Sequence, residues 1–266
     1  MKFTKAHAYG NDFIYVRESE VAPIPLDALA RALCERHTGI GADGFIAYAA
    51  HGDTASMQLF NADGSRSEVS GNGVRGLAAI LLCEDERAHA EITVHTEGGV
   101  KRLTRTDRTG SRQTFRAAMG LPKNLREEQI TVAGESLRVA AMMFGNPQCV
   151  VVGPLPDADR FARLGPAIER HPLFPDRTNV EFAAVEASDA VRILIWERGV
   201  GPTTSSGTGS CAALVAASAY GGAAPDAMVL APGGEQRVEW REDSVYLTGW
   251  AEILFDGEWL RAESAY

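Results

Sequence analysis

The stretch "SGTGSCAALVAASAYGG", residues 206–222, predicts a helix that begins at a Ser-Gly-Thr-Gly turn and ends at Gly221. A stretch with the same beginning, "SGNGVRGLAAILL" at residues 70–82, predicts a second such helix in the first half of the chain. The simpler interpretation is that each serine is a helix cap and nothing more, whose hydroxyl oxygen accepts from the free N–H groups of the first turn. The glycines also let those N–H groups approach a carboxylate or a phosphate, which the helix dipole attracts. Because the device occurs twice, we favour ligand binding over capping alone.

The order of predicted elements repeats around these two helices. Each half runs through strands, an outer amphipathic helix, further strands, the Ser-Gly-x-Gly helix and a last set of strands. The outer helices are predicted in "PLDALARALCERHTG" (residues 25–39) and "DADRFARLGPAIERH" (residues 157–171). A repeated order of elements indicates an internal duplication. We therefore expect an α+β fold of two similar halves, with both glycine turns at a shared cleft.

The boundary between the halves is predicted near residues 117–124, where Gly and Pro cluster. The N-terminal half then comprises residues 1–118 and is completed by the C-terminal tail, residues 252–266. The C-terminal half comprises residues 119–251.

The composition restricts the classes of partner. The net charge of −9, from 26 basic and 35 acidic residues, argues against nucleic acid or an anionic membrane as the main partner. No run of about 18 apolar residues occurs and the first residues contain no apolar leader, so we expect neither a membrane span nor a signal peptide. The cysteines show no pairing or metal-ligand spacing, which favours a reducing cytoplasm: Cys34, Cys83, Cys149 and Cys211.

A set of polar residues lies at predicted strand ends and turns: Asn11, Asn61, Asn146 and Asn179. Taken singly, each is a common turn former. As a set they would suit a small zwitterion, with amide groups for its carboxylate, Glu197 for its ammonium and Arg198 for a second acid group. An ordinary ion pair at a strand end is the other interpretation of Glu197 and Arg198.

Several segments resemble the diaminopimelate epimerase family, in that family's order and over nearly the whole chain. They are "MKFTKAHAYGNDF", "RHTGIGADGF", "FNADGSRSEVSGNGVRG", "GNPQCVV", "TNVEF", "WERGVGPTTSSGTGSCAA" and "LTGWAEILFDGE". The resemblance implies two pseudo-symmetric halves, each a small antiparallel or mixed barrel-like sheet around a central helix. It implies a homodimer and a reaction without a cofactor or metal. One thiolate removes the α-proton of an amino acid, and a second thiol returns a proton to the opposite face.

The resemblance also assigns residues. The two catalytic cysteines of the family align with Ser70 and Ser206, and Glu197 is the remaining catalytic candidate. The family's histidine after Gly-Asn-Pro is Gln148, while Gly44 and Pro202 replace polar or acidic residues. Substrate contacts carry over to Asn11, Asn61, Gly71, Asn72, Asn146, Asn179, Glu197, Arg198, Gly207 and Thr208.

Three functions follow from these residues. The first is epimerisation of diaminopimelate, LL to meso, in lysine biosynthesis, slowed because a serine hydroxyl is a far weaker acid than a thiol. The second is an isomerase or dehydratase of the wider superfamily, which includes the proline racemases and the phenazine-biosynthesis isomerases. It would use a carboxylate as its base, for which Glu197 is the best candidate and Asp63 a weaker one. The third is a non-catalytic amino-acid binder.

Overall fold

A computed structural model describes residues 1–21, 24–68 and 70–260, so the last six residues of the predicted C-terminal tail lie outside the described residues. The described residues form five α-helices and seventeen β-strands of mixed direction. They divide into two compact units. The first unit comprises Met1–Ala117 together with the chain from Gly249 onward, and the second comprises Ala118–Thr248.

Apart from a four-residue helix at Glu18–Val21, which was not predicted, the elements follow one another in the order that the sequence predicts. The elements up to the boundary are β1 (Lys2–Ala8), β2 (Asn11–Arg17), α1 (Glu18–Val21), α2 (Leu26–Cys34), β3 (Gly44–His51), β4 (Thr54–Asn61), β5 (Arg66–Ser67), α3 (Gly71–Leu81), β6 (Glu91–Thr96), β7 (Gly99–Thr109) and β8 (Arg112–Gly120). The remaining elements are β9 (Lys123–Val132), β10 (Glu135–Phe144), β11 (Asn146–Val152), α4 (Ala158–Glu169), β12 (Asn179–Ala187), β13 (Ala190–Glu197), β14 (Gly201–Thr203), α5 (Gly207–Tyr220), β15 (Asp226–Ala231), β16 (Gly234–Trp240) and β17 (Val245–Glu258).

Eight strands of the first unit close into a barrel. They pair in the order β1, β2, β3, β4, β6, β7, β8 and β17, and β17 returns to β1. The pairs β2–β3 and β4–β6 are parallel, since α2 and α3 separate their strands along the chain. Helix α3 packs on β1, β2, β6 and β7, with Leu77, Ala78 and Ala79 fully buried. This helix is the core of the unit.

The second unit repeats this pattern around α5. Its strands pair in the order β9, β10, β11, β12, β13, β15, β16 and β17, and the pairs β11–β12 and β13–β15 are again parallel. Helix α5 is apolar on all sides, as expected of a helix enclosed by other elements. Residues Cys211–Ala217 are fully buried. The predicted fold of two similar barrel-like halves, each around a central helix, is confirmed.

The first turn of the chain differs from the sequence prediction. The polar residues Gly10-Asn11-Asp12 predict a break between two strands there, whereas the structure places the turn at Tyr9-Gly10, and Asn11 is the first residue of β2. Tyr9 and Gly10 both have positive φ, of 55° and 85°, as a two-residue hairpin turn of the primed type requires. Tyr9 adopts this conformation with its ring packed against Trp250, at a centroid distance of 4.5 Å. Asn11 therefore lies in a paired strand, which fixes the direction of its side chain.

Over the part of the chain that the structure describes, none of the helices combines the length and the apolar character needed to cross a membrane.

Candidate functional site

Ser70 and Ser206 occupy the same position, the N-cap of the central helix, in their respective units. Both have extended backbone angles, with φ of −127° at Ser70 and −141° at Ser206. The Oγ of Ser70 accepts a hydrogen bond of 3.1 Å from the backbone N–H of Gly73, and the Oγ of Ser206 accepts one of the same length from Gly209. The capping interpretation is therefore correct for both serines. It leaves each hydroxyl proton available for a second partner, because only the oxygen lone pairs are engaged.

A first polar cluster forms at the start of α3 from Ser70, Gly71, Asn72 and Asn11. The Nδ2 of Asn72 donates to the Oδ1 of Asn11 at 3.2 Å, and the Nδ2 of Asn11 donates to the Oδ2 of Asp43 at 3.0 Å. The hydrogen-bond chain fixes which amide atoms of Asn11 and Asn72 face each other. The structure thus brings these two predicted site residues together.

Asn61, another predicted site residue, lies two strands away from Asn11. It is the last residue of β4 and stands opposite Gly44, the first residue of β3. Its Nδ2 donates to the Oγ of Ser65 at 2.9 Å, and its backbone N–H donates to the carbonyl of Ser65. Its side chain is exposed and is held by its own turn rather than by the first polar cluster.

Sequence reasoning missed a buried cation beneath the first polar cluster. Arg75 is only 1% exposed, although it lies in the second turn of α3. Its guanidinium donates to the Oδ1 of Asn72 and lies 5.7 Å from the centre of the Tyr9 ring. A desolvated cation over an aromatic face gains a cation–π interaction. Arg75 therefore places a positive charge behind the amide of Asn72.

In the other unit we use the name second polar cluster for Asn146, Asn179, Arg198 and the start of α5, residues 206–208, with Glu197 next to Arg198 at the end of β13. The backbone N–H of Arg198 donates to the Oδ1 of Asn179 at 2.8 Å, and its guanidinium donates to the carbonyl of Asp176 at 3.1 Å. The start of α5 approaches β11 closely, since a methyl group at Gly145 would lie 3.8 Å from the Cγ2 of Thr208. The hydrogen bond from the Arg198 backbone to the Asn179 side chain holds these two residues together.

Gln148 stands where the resemblance places a histidine, and it connects the second polar cluster to a buried acid. Its Nε2 donates to the Oδ1 of Asn146 at 2.6 Å, and the residue is paired in register with Asn179 on the parallel strand β12. The other end of its amide faces both carboxyl oxygens of Glu181, at 3.0 and 3.2 Å. Gln148 and Glu181 are both fully buried.

Two carboxyl groups of the second unit are perturbed by burial. Burial raises the pKa of Glu197, the last residue of β13. Burial also raises the pKa of Glu181 well above its usual range, and the negative charge of Glu197 raises it further. A raised pKa makes a carboxyl group better able to hold a proton and to return it during a reaction. The predicted site contains Glu197, whereas Glu181 was missed.

The acid beneath the second helix has an apolar counterpart in the first unit. A methyl group at Gly209 would lie 2.7 Å from the Oε1 of Glu181 and 3.1 Å from the Oγ of Ser206. At the matching glycine, Gly73, the nearest atom would be the Cδ1 of Ile46, at 2.8 Å. The two helix starts are thus alike in backbone and different in the side chain below them, a carboxyl group at Gly209 and an aliphatic group at Gly73.

Burial makes three of the cysteines unsuitable as reactive thiols. Burial raises the pKa of the Cys34 thiol to about 12, and burial raises that of Cys149 further. Cys211 is fully buried in the body of α5. A thiol that remains protonated is a poor base and a poor nucleophile. Among the described residues, no group of three or more His, Cys, Asp or Glu side chains is arranged to hold a metal ion.

Comparison with known proteins supplies the family. A family model described as diaminopimelate epimerase matches residues 3–123 and 140–254. The diaminopimelate epimerase of Desulforudis audaxviator is 41% identical over 280 residues, which cover 98% of this chain and 100% of that protein. The diaminopimelate epimerase of Desulfitobacterium hafniense is 38% identical over 277 residues, 97% of each chain.

The chain belongs to the diaminopimelate epimerase family. It is accordingly an isomerase of the amino-acid epimerase and racemase type. Among solved structures, a probable proline racemase from Agrobacterium radiobacter K84 has a TM-score of 0.74 at 18% identity, covering 98% of this chain and 93% of that one. A hydroxyproline epimerase from Agrobacterium vitis has a TM-score of 0.72 at 17% identity, covering 97% and 91%. Both likenesses concern the fold.

Proposed function

We propose that the protein is a cofactor-independent epimerase that interconverts LL- and meso-diaminopimelate and serves lysine biosynthesis in the cytoplasm as a homodimer. The observation that carries the proposal is the matched pair of serine-capped helix starts, each with asparagine side chains beside it. Free N–H groups at a helix start bind a carboxylate and stabilise charge that develops next to it. The names of the related proteins support diaminopimelate as the substrate.

The proposed substrate contacts are the residues that the family resemblance assigns. Asn11, Asn72, Asn146 and Asn179 supply amide groups, and Arg198 supplies a positive charge for the second acid group of the substrate. The backbone of Gly71, Gly207 and Thr208 supplies N–H groups at the helix starts. Asn61 completes this set.

Epimerisation needs one group that removes the α-proton and another that returns a proton to the opposite face. We assign these positions to Ser70 and Ser206, with Glu197 as the neighbouring carboxyl group. A general base contributes about 10²–10⁴-fold to such a step. Because a serine hydroxyl needs an adjacent base to become reactive, we expect this enzyme to epimerise slowly.

A second function is favoured by the buried carboxyl of Glu197. An isomerase or dehydratase of the wider superfamily would use that single carboxylate to remove and return a proton on one face. The raised pKa of Glu197 suits a group that must hold a proton for part of the cycle.

Proton exchange in deuterated buffer tests both functions. The protein is incubated with LL- and with meso-diaminopimelate, and the α-proton signal is followed by NMR. Loss of the signal together with interconversion of the isomers supports the epimerase, whereas loss without interconversion supports the one-face isomerase. Binding without any exchange contradicts both and leaves an amino-acid binder. Glu197→Gln should slow the exchange, while Glu186→Gln, a surface carboxylate paired with Arg192, is the matched control.

A further inference from the structure

Glu181 has an ionisable side chain, but its position is fully buried and gives the carboxyl group no access to solvent. It lies on β12 with no exposed surface, and its neighbours are the amide of Gln148 and the first turn of α5 at Gly209. No ion pair joins Glu181 to a lysine or arginine of the described chain. A buried carboxylate without a cationic partner is strongly disfavoured, whereas a buried carboxylic acid with a hydrogen-bond acceptor is not.

We propose that Glu181 is a positioning residue of the second polar cluster, which holds the Gln148 amide, and through it Asn146, while carrying a proton. This inference rests on the proposed function, since it assigns Glu181 to the binding of the same amino-acid substrate. No contact between Glu181 and the substrate is required. Its effect passes through Gln148.

The hydrogen bonds of Gln148 depend on whether Glu181 is protonated. The protonated carboxyl donates to the Oε1 of Gln148, and the Nε2 then donates to the Oδ1 of Asn146, as the structure has it. An ionised carboxyl accepts from Nε2 instead, which requires the amide to turn over. The oxygen of the turned amide then accepts from the Nδ2 of Asn179 at 3.2 Å and faces the Oδ1 of Asn146 at 2.6 Å, where both atoms are acceptors. Loss of the proton therefore disturbs Asn146.

Several groups around Glu181 act on its proton or respond to it. The charge of Glu197, on β13, raises the pKa of Glu181, and burial raises it more. The charge of Glu181 in turn raises the pKa of the Cys149 thiol, on β11, although burial is the larger cause there. The N-terminal amides of α5 favour the ionised form through the helix dipole. Burial and Glu197 together outweigh this effect.

The first unit supports the assignment by contrast. Ile46 lies beneath Gly73 where Glu181 lies beneath Gly209, so the barrel closes equally well over an apolar side chain. The residue beside the carboxyl is Gln148, whose amide can bond to either protonation state. A carboxyl at this position is therefore explained by the second polar cluster and not by packing.

Two variants separate a protonated positioning group from a space-filling one. Glu181→Gln keeps the shape and donates permanently to Gln148, so we expect its affinity for meso-diaminopimelate to stay within about twofold of the parent at pH 6. Glu181→Leu leaves the buried amide of Gln148 without its partner and should weaken binding by about tenfold or more. As the pH rises from 6 to 9, binding to the parent should weaken relative to binding to Glu181→Gln. Calorimetric titration measures these affinities, with Glu186→Gln as the surface control.

Infrared spectroscopy of the ligand-free protein keeps the test independent of the substrate. The parent at pH 7 should show the C=O stretch of a protonated, buried carboxyl group, and Glu181→Gln should lack it. If the parent binds no diaminopimelate but shows this band, the proposed function fails and the protonated state of Glu181 stands. Absence of the band, or a loss of affinity in Glu181→Gln as large as in Glu181→Leu, overturns the inference.

Discussion

The hydroxyl oxygens of Ser70 and Ser206 each accept a hydrogen bond of 3.1 Å from the backbone amide of the glycine three residues later. The same atoms that the family resemblance places at the reacting carbon therefore also cap the two central helices. In each serine the same oxygen has the structural role and the proposed chemical role. Variants can separate the two roles, because asparagine and aspartate cap as well as serine does.

Removal of either cap should destabilise the protein. Ser70→Ala and Ser206→Ala leave a helix N–H group without its acceptor, and each should lower the free energy of unfolding by about 1 kcal/mol. Urea denaturation measures this change. Ser206→Asn is the matched control, since its side chain can accept from the Gly209 amide. Equal stability of the alanine and asparagine variants would show that the caps contribute nothing.

Restoring thiols should raise the epimerisation rate. In the double variant Ser70→Cys/Ser206→Cys, each hydroxyl is replaced by a group with a pKa of about 8.5, lowered further at a helix start. We expect an increase of about 10²-fold or more in α-proton exchange with inversion, and a further increase when Gln148→His is added. The exchange is followed by NMR in deuterated buffer.

A thiol at the neighbouring position provides the control for that experiment. Ser205→Cys adds a cysteine one residue before the cap, at a buried side chain within 3.4 Å of the Gln236 amide. It should leave the rate unchanged. A triple variant that binds diaminopimelate and remains inert would mean that the cluster serves a different reaction.

The two matching glycines should respond unequally to alanine. The Cβ of Gly209→Ala would lie 2.7 Å from the Oε1 of Glu181, which Gln148 holds in place, so we expect a loss of about 1–3 kcal/mol in unfolding free energy. The Cβ of Gly73→Ala would come closest to the Cδ1 of Ile46, at 2.8 Å, which is the far end of a flexible side chain. Thermal and urea denaturation of both variants give the comparison. A larger loss at Gly73 would contradict the close fit around Glu181.

The stability of the protein should depend on pH through Glu181. Its pKa is raised in the folded state, so folded protein retains a proton that the unfolded chain releases above about pH 4.3. The stabilisation is complete below that pH and is lost as the pH rises toward the folded pKa, by up to about 1.4 kcal/mol per unit. Glu181→Gln should remove this part of the slope, whereas Glu186→Gln should not. Parallel curves for the parent and Glu181→Gln, from urea denaturation between pH 5 and 8, would refute the assignment.

Local signals in the sequence were sufficient for the central helices. A serine followed by glycines marks the start of α5, and Gly221 marks its end, because these residues act on the backbone within one turn. The duplication followed from the order of such local signals. The position of the first hairpin turn was wrong by one residue, since Tyr9 adopts a positive φ that its residue type does not announce.

The buried ionisable residues beneath the helix starts, Glu181 and Arg75, could not be predicted in the same way. Glu181 lies in a strand segment whose residues 179–183 are all buried, and its partner Gln148 comes from another strand. Only the fold brings the two together. For Arg75 the sequence offered one indication of a special role, since it is a lone charged residue within the apolar stretch of a central helix. Its partner Tyr9 belongs to a distant turn, so its burial could not be inferred from the periodicity.

The route of β17 has a consequence for synthesis on the ribosome. Residues 252–258 of that strand pair with β1, so the first barrel is completed by a segment that emerges more than two hundred residues after its opening strand. The second unit is continuous in sequence, from Ala118 to Thr248, and can complete its pairing first. Co-translational folding normally proceeds from the N-terminus. Here β1, which is synthesised first, has one unpaired edge until β17 has been synthesised. During that time the edge can bind chaperones or aggregate.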